Sequence, residues 1–161
     1  MSTPARRHAA RLRAVAEHVG QPGVSQLARA PGVQTVYRVT VFFADRRACH
    51  VVATVVKTQI GGTHLTLLFE GALGHKPLVY PLADDRLERL IRALALADFD
   101  HLPDQPNLPE YATTDLWFIE RAAGAFSHSV IVAPALAQDV YATLAATVRE
   151  HLPEALREIA P

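Results

Sequence analysis

A chain of 161 residues, half of it hydrophobic, can bury the core of one domain, and its equal counts of basic and acidic residues exclude a protein built throughout to hold a nucleic acid duplex. No run approaches the ~18 apolar residues of a membrane span and no secretory signal is visible, so a cytoplasmic protein without membrane contact is expected. Cys49 is the only cysteine, which excludes an intramolecular disulfide and a cysteine-rich metal site.

Charge is unevenly distributed. Residues 1–38 carry six arginines against Glu17 alone, so a basic head of about +5 precedes a body of about −5. From Pro4 to Val19, Leu12, Val15, Ala16 and Val19 recur at helical spacing with Arg6, Arg7, Arg11 and Arg13 on the other side. Those arginines either keep an amphipathic helix soluble or contact phosphates or an acidic partner. Gly20, Pro22 and Gly23 end the helix. Residues 1–35 are expected to form a basic N-terminal helix and linker, and residues 36–161 an α+β core, in one domain overall.

The segment from Val24 to Arg38 imitates a helix-turn-helix, with Leu27-Ala28-Arg29 on a first helix and Thr35-Val36-Tyr37-Arg38 opening a second. Pro31 removes a backbone donor where the first helix should continue, and the β-branched and aromatic run after Arg38 predicts a strand.

Val36 to Phe69 predicts a three-stranded antiparallel meander. A turn at Asp45-Arg46-Arg47-Ala48 sets Phe43 opposite His50, Val41 opposite Val52 and Tyr37 opposite Val56. A two-residue turn at Gly61-Gly62 sets Val56 opposite Leu67 and Thr54 opposite Phe69. One face then collects Tyr37, Val39, Val41, Phe43, Val52, Val56, Leu65, Leu67 and Phe69 as core. The other carries Arg38, Thr40, Lys57, Thr66 and Glu70 among Phe42, Val51, Val55 and Leu68, a mixture suited to meeting a protein.

Leu78-Val79-Tyr80 reads as a short extended piece after the meander. Asp84 or Asp85 caps a second helix with Leu87, Leu90, Ile91 and Leu94 on its apolar stripe, expected against the meander's core face. Residues 99–113, spaced by Pro103, Pro106 and Pro109, read as a stiff crossover or a functional loop. Strands Thr114–Glu120 and Phe126–Ala133 join at Ala123-Gly124, with Trp117 expected opposite Val130. A third helix is expected after Pro134 along Leu136, Val140, Leu144, Val148 and Leu152.

Catalytic signatures are absent. Cys49 and His50 are adjacent in an expected strand and point to opposite faces, which rules out a thiolate–imidazole pair, and the same alternation separates Ser127, His128 and Ser129. No nucleophile elbow, phosphate-cradling loop or dinucleotide fingerprint is present, so no enzyme and no cofactor are expected. Asp98, Asp100, His101 and Asp104 cluster, but Pro103 and Pro109 stand where a calcium loop needs glycine and glutamate. The best small-molecule pocket that the sequence assembles is Asp115, Trp117, Arg121 and His128 on one face of the second hairpin.

The order α-β-β-β-α-β-β-α, an antiparallel sheet with helices mainly on one face, resembles the type III secretion chaperone-like fold and the bacterial YbjN-like family. The resemblance implies a homodimer that holds an unidentified protein partner along exposed apolar surface, without active-site residues. It assigns dimerisation to the second helix and the hairpin from Thr114 to Ala133. The partner surface would be Phe42, Val51, Val55 and Leu68, with Arg38 and Lys57 beside them. The alternatives are an accessory protein of nucleic-acid maintenance acting through the basic arm, and a small enzyme using Asp115, Arg121 and His128.

Overall fold

The computed structural model describes residues 2–161 and shows an α+β fold. Helix α1 (Thr3–His18) and the short helix α2 (Val24–Ala28) lead into strands β1 (Val33–Phe42), β2 (Val51–Thr58), β3 (Thr63–Phe69) and β4 (Leu78–Leu82). Helix α3 (Asp84–Leu96), strands β5 (Leu116–Ala123) and β6 (Phe126–Val132) and helix α4 (Val140–His151) complete the element order. All strands join one antiparallel sheet in the order β4-β3-β2-β1-β5-β6. The return of β5 to the free side of β1 makes β1 central. The residues that resembled a recognition helix, Thr35 to Arg38, lie inside that strand.

Two layers of helix enclose the sheet. On one face α3 and α4 bury Leu87, Leu90, Leu94, Leu144 and Val148 against Val39, Val41, Val51, Val55, Leu65, Leu67 and Phe69. On the other face lies α1, which starts where Ser2 Oγ accepts a hydrogen bond from Ala5 N and is followed by Gly20, whose φ of 79° favours glycine. Ala5, Ala9 and Leu12 pack on Leu116, Phe118 and Ile131, while Val15, Ala16 and Val19 pack on Val52 and Leu68. Small alanines on the buried stripe let the helix backbone approach the strands closely. Helix α2 closes the far end over Val36 and Ala122. The basic head is thus a structural layer of the domain.

The register of the meander differs from the sequence reading. Val41 pairs with Val51, not Val52, one residue from expectation, and Val55 pairs with Leu65, three from expectation. A slip by an odd number turns a strand over, and two odd slips restore the next one. Accordingly β3 presents Leu65, Leu67 and Phe69 to the core as expected, whereas β2 is reversed: Val51 and Val55 are interior, and Val52 and Val56 face α1 and α2. The cause lies in the connections. Between Phe42 and Val51 the chain is claimed by other contacts: Ala44 N donates to Asp115 Oδ1, Cys49 N to Ile159 O and Phe43 N to His50 Nδ1. The β2–β3 loop is closed by Thr58 N donating to Gly62 O, a wider connection than a two-glycine turn.

In the second hairpin Trp117 pairs with Val132 rather than Val130 around a Gly124-Ala125 turn, a slip of two that leaves every side chain on its expected face. The helix expected directly after Pro134 starts instead at Val140, so exposed Leu136 is not on it.

The proline-spaced strap serves as a substitute strand along β6. Gln105 N donates to Ile131 O, and the Asp104 and Gln105 side chains accept from Ile131 N and Ala133 N. Further on, Pro109 O meets His8 Nε2 and Glu110 O accepts from Arg7, so the strap fastens the β6 edge to α1.

Candidate functional site

The α1 face of the sheet is apolar at both ends and polar in the middle. Register places Thr54 beside Arg38, Arg38 beside Glu120, and Glu120 beside Ser129, a row running across β2, β1, β5 and β6. It separates the apolar clusters beneath α1 from the one beneath α2. Over this row the layer of helix is interrupted, because Gly20 and Pro22 break the chain between α1 and α2. A cleft of about 370 Å³ opens there, lined by Arg13 and Glu17 of α1, Gln21 and Ser25, and Arg38, Glu120, Ser127 and Ser129 of the sheet. His128 borders it from the backbone; its ring lies on the opposite face against Phe99, with Nε2 2.8 Å from Leu102 O.

Arg38 is only 2% exposed. Its Nε donates to Thr54 Oγ1 at 3.0 Å and its Nη2 to Gln21 Oε1 at 3.4 Å, and among the described residues Nη1 has no hydrogen-bond partner. Taking a guanidinium out of water costs several kcal/mol, and hydrogen bonds from a charged donor to neutral acceptors return only about 1.5–3 kcal/mol each. Burial lowers its pKa, and Glu120 works in the other direction. Glu120 is a direct cross-strand neighbour, yet no ion pair joins the two side chains, and among the described residues its carboxylate accepts no hydrogen bond. Burial pushes the Glu120 carboxyl above its usual range, with Arg38 and Arg13 opposing. A buried cation and a half-buried carboxylate therefore stand side by side, neither neutralised by direct contact.

The other sequence-derived candidates fall elsewhere. Val51 and Val55 are fully buried in the main core and Leu68 lies beneath α1, so the surface read for a partner protein is interior. Phe42 is covered by α1 and stacks on His50 at 4.2 Å between ring centres; Lys57 sits half-buried near the end of β2, away from Arg38 on the opposite face. Asp115, Trp117, Arg121 and His128 do share one face, and Arg121 and His128 are direct cross-strand neighbours, but the four do not converge on one pocket. Asp115 pairs with Arg47 at 2.7 Å, Trp117 lies under the Arg149 guanidinium, and Arg121 pairs with Asp100 at 2.9 Å. Two separate hollows hold three of them, one with Asp115 and Trp117, the other with Arg121.

On the outside of α1, Arg6, Arg7, Arg11 and Arg13 are all exposed. Three of them are committed to the fold: Arg7 lies over Tyr111, Arg11 over Phe42 and Arg13 over Phe118, each guanidinium about 5 Å from the ring centre. Among the described residues no helix is long and apolar enough to cross a membrane.

Sequence reasoning named Arg38 but missed Glu120, whose partnership depends on β5 pairing with β1 across a long crossover. The available signal was charge inside two mostly apolar strands, Arg38 in VYRVTVF and Glu120 beside Arg121 in LWFIERA. No protein-family model matches the chain, and no curated protein matches it either.

Proposed function

We propose that the protein is a binding module for a small, polar, charged ligand held in the cleft between α1, α2 and the β1/β5/β6 strands. The observation that supports this reading is Arg38, a buried guanidinium facing a cleft with an unused donor and no carboxylate in contact. Where a largely buried charge lines a concavity with hydrogen-bonding capacity that the protein itself does not use, a ligand in that concavity can supply the remaining contacts. Beside Ala16 and Val24, the side chains around it are hydroxyls, an amide and charges, suited to orienting a polar molecule, and no hydrogen-bonded nucleophile–base pair stands among them.

Mass spectrometry of small molecules released from the purified, natively folded protein, beside an Arg38→Met variant checked for folding by circular dichroism, tests the reading. A compound retained by the parent and lost from the folded variant is the expected result. Retention of the same compounds by both, or of none by the parent, would count against the cleft.

A second reading, a chaperone-like protein-binding homodimer, is favoured by one observation. Strand β4 is the uncovered edge of the sheet and exposes Val79 and Tyr80, a place where another chain can add a strand. Pro81 within β4 limits such pairing. Light scattering separates the cases: a dimer abolished by Val79→Lys supports the edge, and a monomer in the parent protein removes it.

A further inference from the structure

Resting on the cleft reading, we infer that the ligand is a small zwitterion of the α-amino-acid type, its carboxylate received by Arg38 and its ammonium by Glu120. Three observations carry this inference, and each removes a competing class.

The first is charge balance. The cleft is lined by two cations, Arg13 and Arg38, and two acidic residues, Glu17 and Glu120. A phosphate-rich ligand or a nucleic acid strand requires a clear positive excess, as does a dicarboxylate. A ligand that is itself neutral overall, with its charges separated, matches a site whose own charges cancel.

The second is the direction of the side chains. Opposite charges directly across an antiparallel pair ordinarily meet. Here the guanidinium instead reaches Thr54 on β2 and Gln21 beyond α1, leaving Glu120 without a donor. The donor left over on Arg38 and the acceptors left over on Glu120 are what a carboxylate and an ammonium on one short molecule would satisfy. An uncharged ligand would leave both charges uncompensated, at a cost that disfavours it.

The third is the wall. Ser25, Ser127 and Ser129 add hydroxyls around the charged pair, and Ala16 and Val24 supply the apolar side chains of the wall. The recognised part is therefore the zwitterionic head, with a short side chain towards Ala16 and Val24. A large aromatic or aliphatic ligand would cover the charges and hydroxyls without pairing them, which disfavours it.

The test is titration of the full-length ¹⁵N-labelled protein with glycine, L-alanine, L-serine and L-glutamate, each beside its N-acetyl and its carboxamide derivative. The Arg38 Nε–H signal and the Ser129 amide report on the cleft. At least one free amino acid should shift both signals saturably. Blocking either charged end should weaken binding about ten- to a hundredfold, the loss of one charge-assisted hydrogen-bonded contact. Glu120→Gln should remove most of the preference for the free over the N-acetyl form while Arg38→Lys weakens both. If N-acetyl forms or succinate bind as tightly as the free amino acids, the zwitterion is wrong and the cleft remains a ligand site. If no free amino acid shifts either signal, the zwitterion is wrong, and the compounds released from the native protein decide separately whether the cleft reading stands.

Discussion

Arg38 and Glu120 occupy directly opposed positions on β1 and β5, yet the guanidinium is bonded to Thr54 and Gln21, and the carboxylate has no hydrogen-bond donor among the described residues. A cross-strand pair of opposite charge that does not close is a local departure from what stability alone favours, and such departures gather at sites of function.

Glu120→Gln should therefore stabilise the ligand-free protein at neutral pH, by about 1 kcal/mol, because it removes a half-buried charge and keeps the shape. The effect should depend on pH. Burial holds the folded-state pKa of Glu120 above the ordinary carboxylate value, so the folded chain is favoured while the group is protonated and loses that advantage as pH rises through the raised value. The Tm gap between variant and parent should widen from pH 4 to pH 7. A constant gap over that interval, read by calorimetry at each pH, would contradict the assignment.

The strap along β6 yields a second expectation. Gln105 is 2% exposed, and its side-chain oxygen is the acceptor for Ala133 N. Gln105→Ala leaves that buried amide unpaired, at a cost of about 1–3 kcal/mol. Hydrogen exchange should accelerate at Ala133 and Ile131 before it does in β1, since the loss opens the edge and not the centre. Uniform acceleration across the sheet would mean that the strap is no separate fastening.

Much of this architecture was legible in the sequence, and the failures have definite causes. The strands and helices α1 and α3 followed from periodicity, as did the packing of Leu87, Leu90 and Leu94 on the meander. Which face of β2 is interior was not legible, because it hangs on one residue of loop length, and that residue is set by distant contacts from Asp115 and Ile159. The apparent partner surface had the same origin: the mixed face is covered by α1, whose basic outer side concealed an alanine-rich inner stripe. Glu120 was hidden because sequence order gives no sign that β5 returns to β1.

The covered second face predicts a contrast between two substitutions under α1. Leu12 is fully buried against Leu116, Phe118 and Ile131, so Leu12→Ala should cost about 2–5 kcal/mol, as in any core. Thr40 is equally buried, but its hydroxyl has no partner among the described residues. Thr40→Val removes that orphan and should be neutral or stabilising by up to about 1–2 kcal/mol. Urea denaturation of both variants checks the pair, and a mild effect of Leu12→Ala would mean that α1 is a detachable arm.

His50 provides the last prediction. Its Nδ1 accepts a hydrogen bond from Phe43 N at 3.0 Å, and its ring stacks on Phe42, so the folded protein needs the neutral imidazole with the proton on Nε2. Burial lowers its pKa below the usual 6.5, Arg46 and Arg11 act in the same direction, and Glu70 and Asp115 oppose them. A lowered folded-state pKa means that the stabilising contribution is complete above the unfolded value and is lost as pH falls through the folded one. Acidification through this lowered folded-state value should therefore release the Phe43 amide and loosen the β1–β2 connection, which is held in addition by Asp115 and Ile159. Long-range proton–nitrogen spectra of the ring should show the Nε2–H tautomer at neutral pH, and Phe43 protection should fall as the ring titrates. An Nδ1–H tautomer, or titration above 6.5, would mean that the ring does not hold the turn, and the β1–β2 register would then rest on the Asp115 and Ile159 contacts alone.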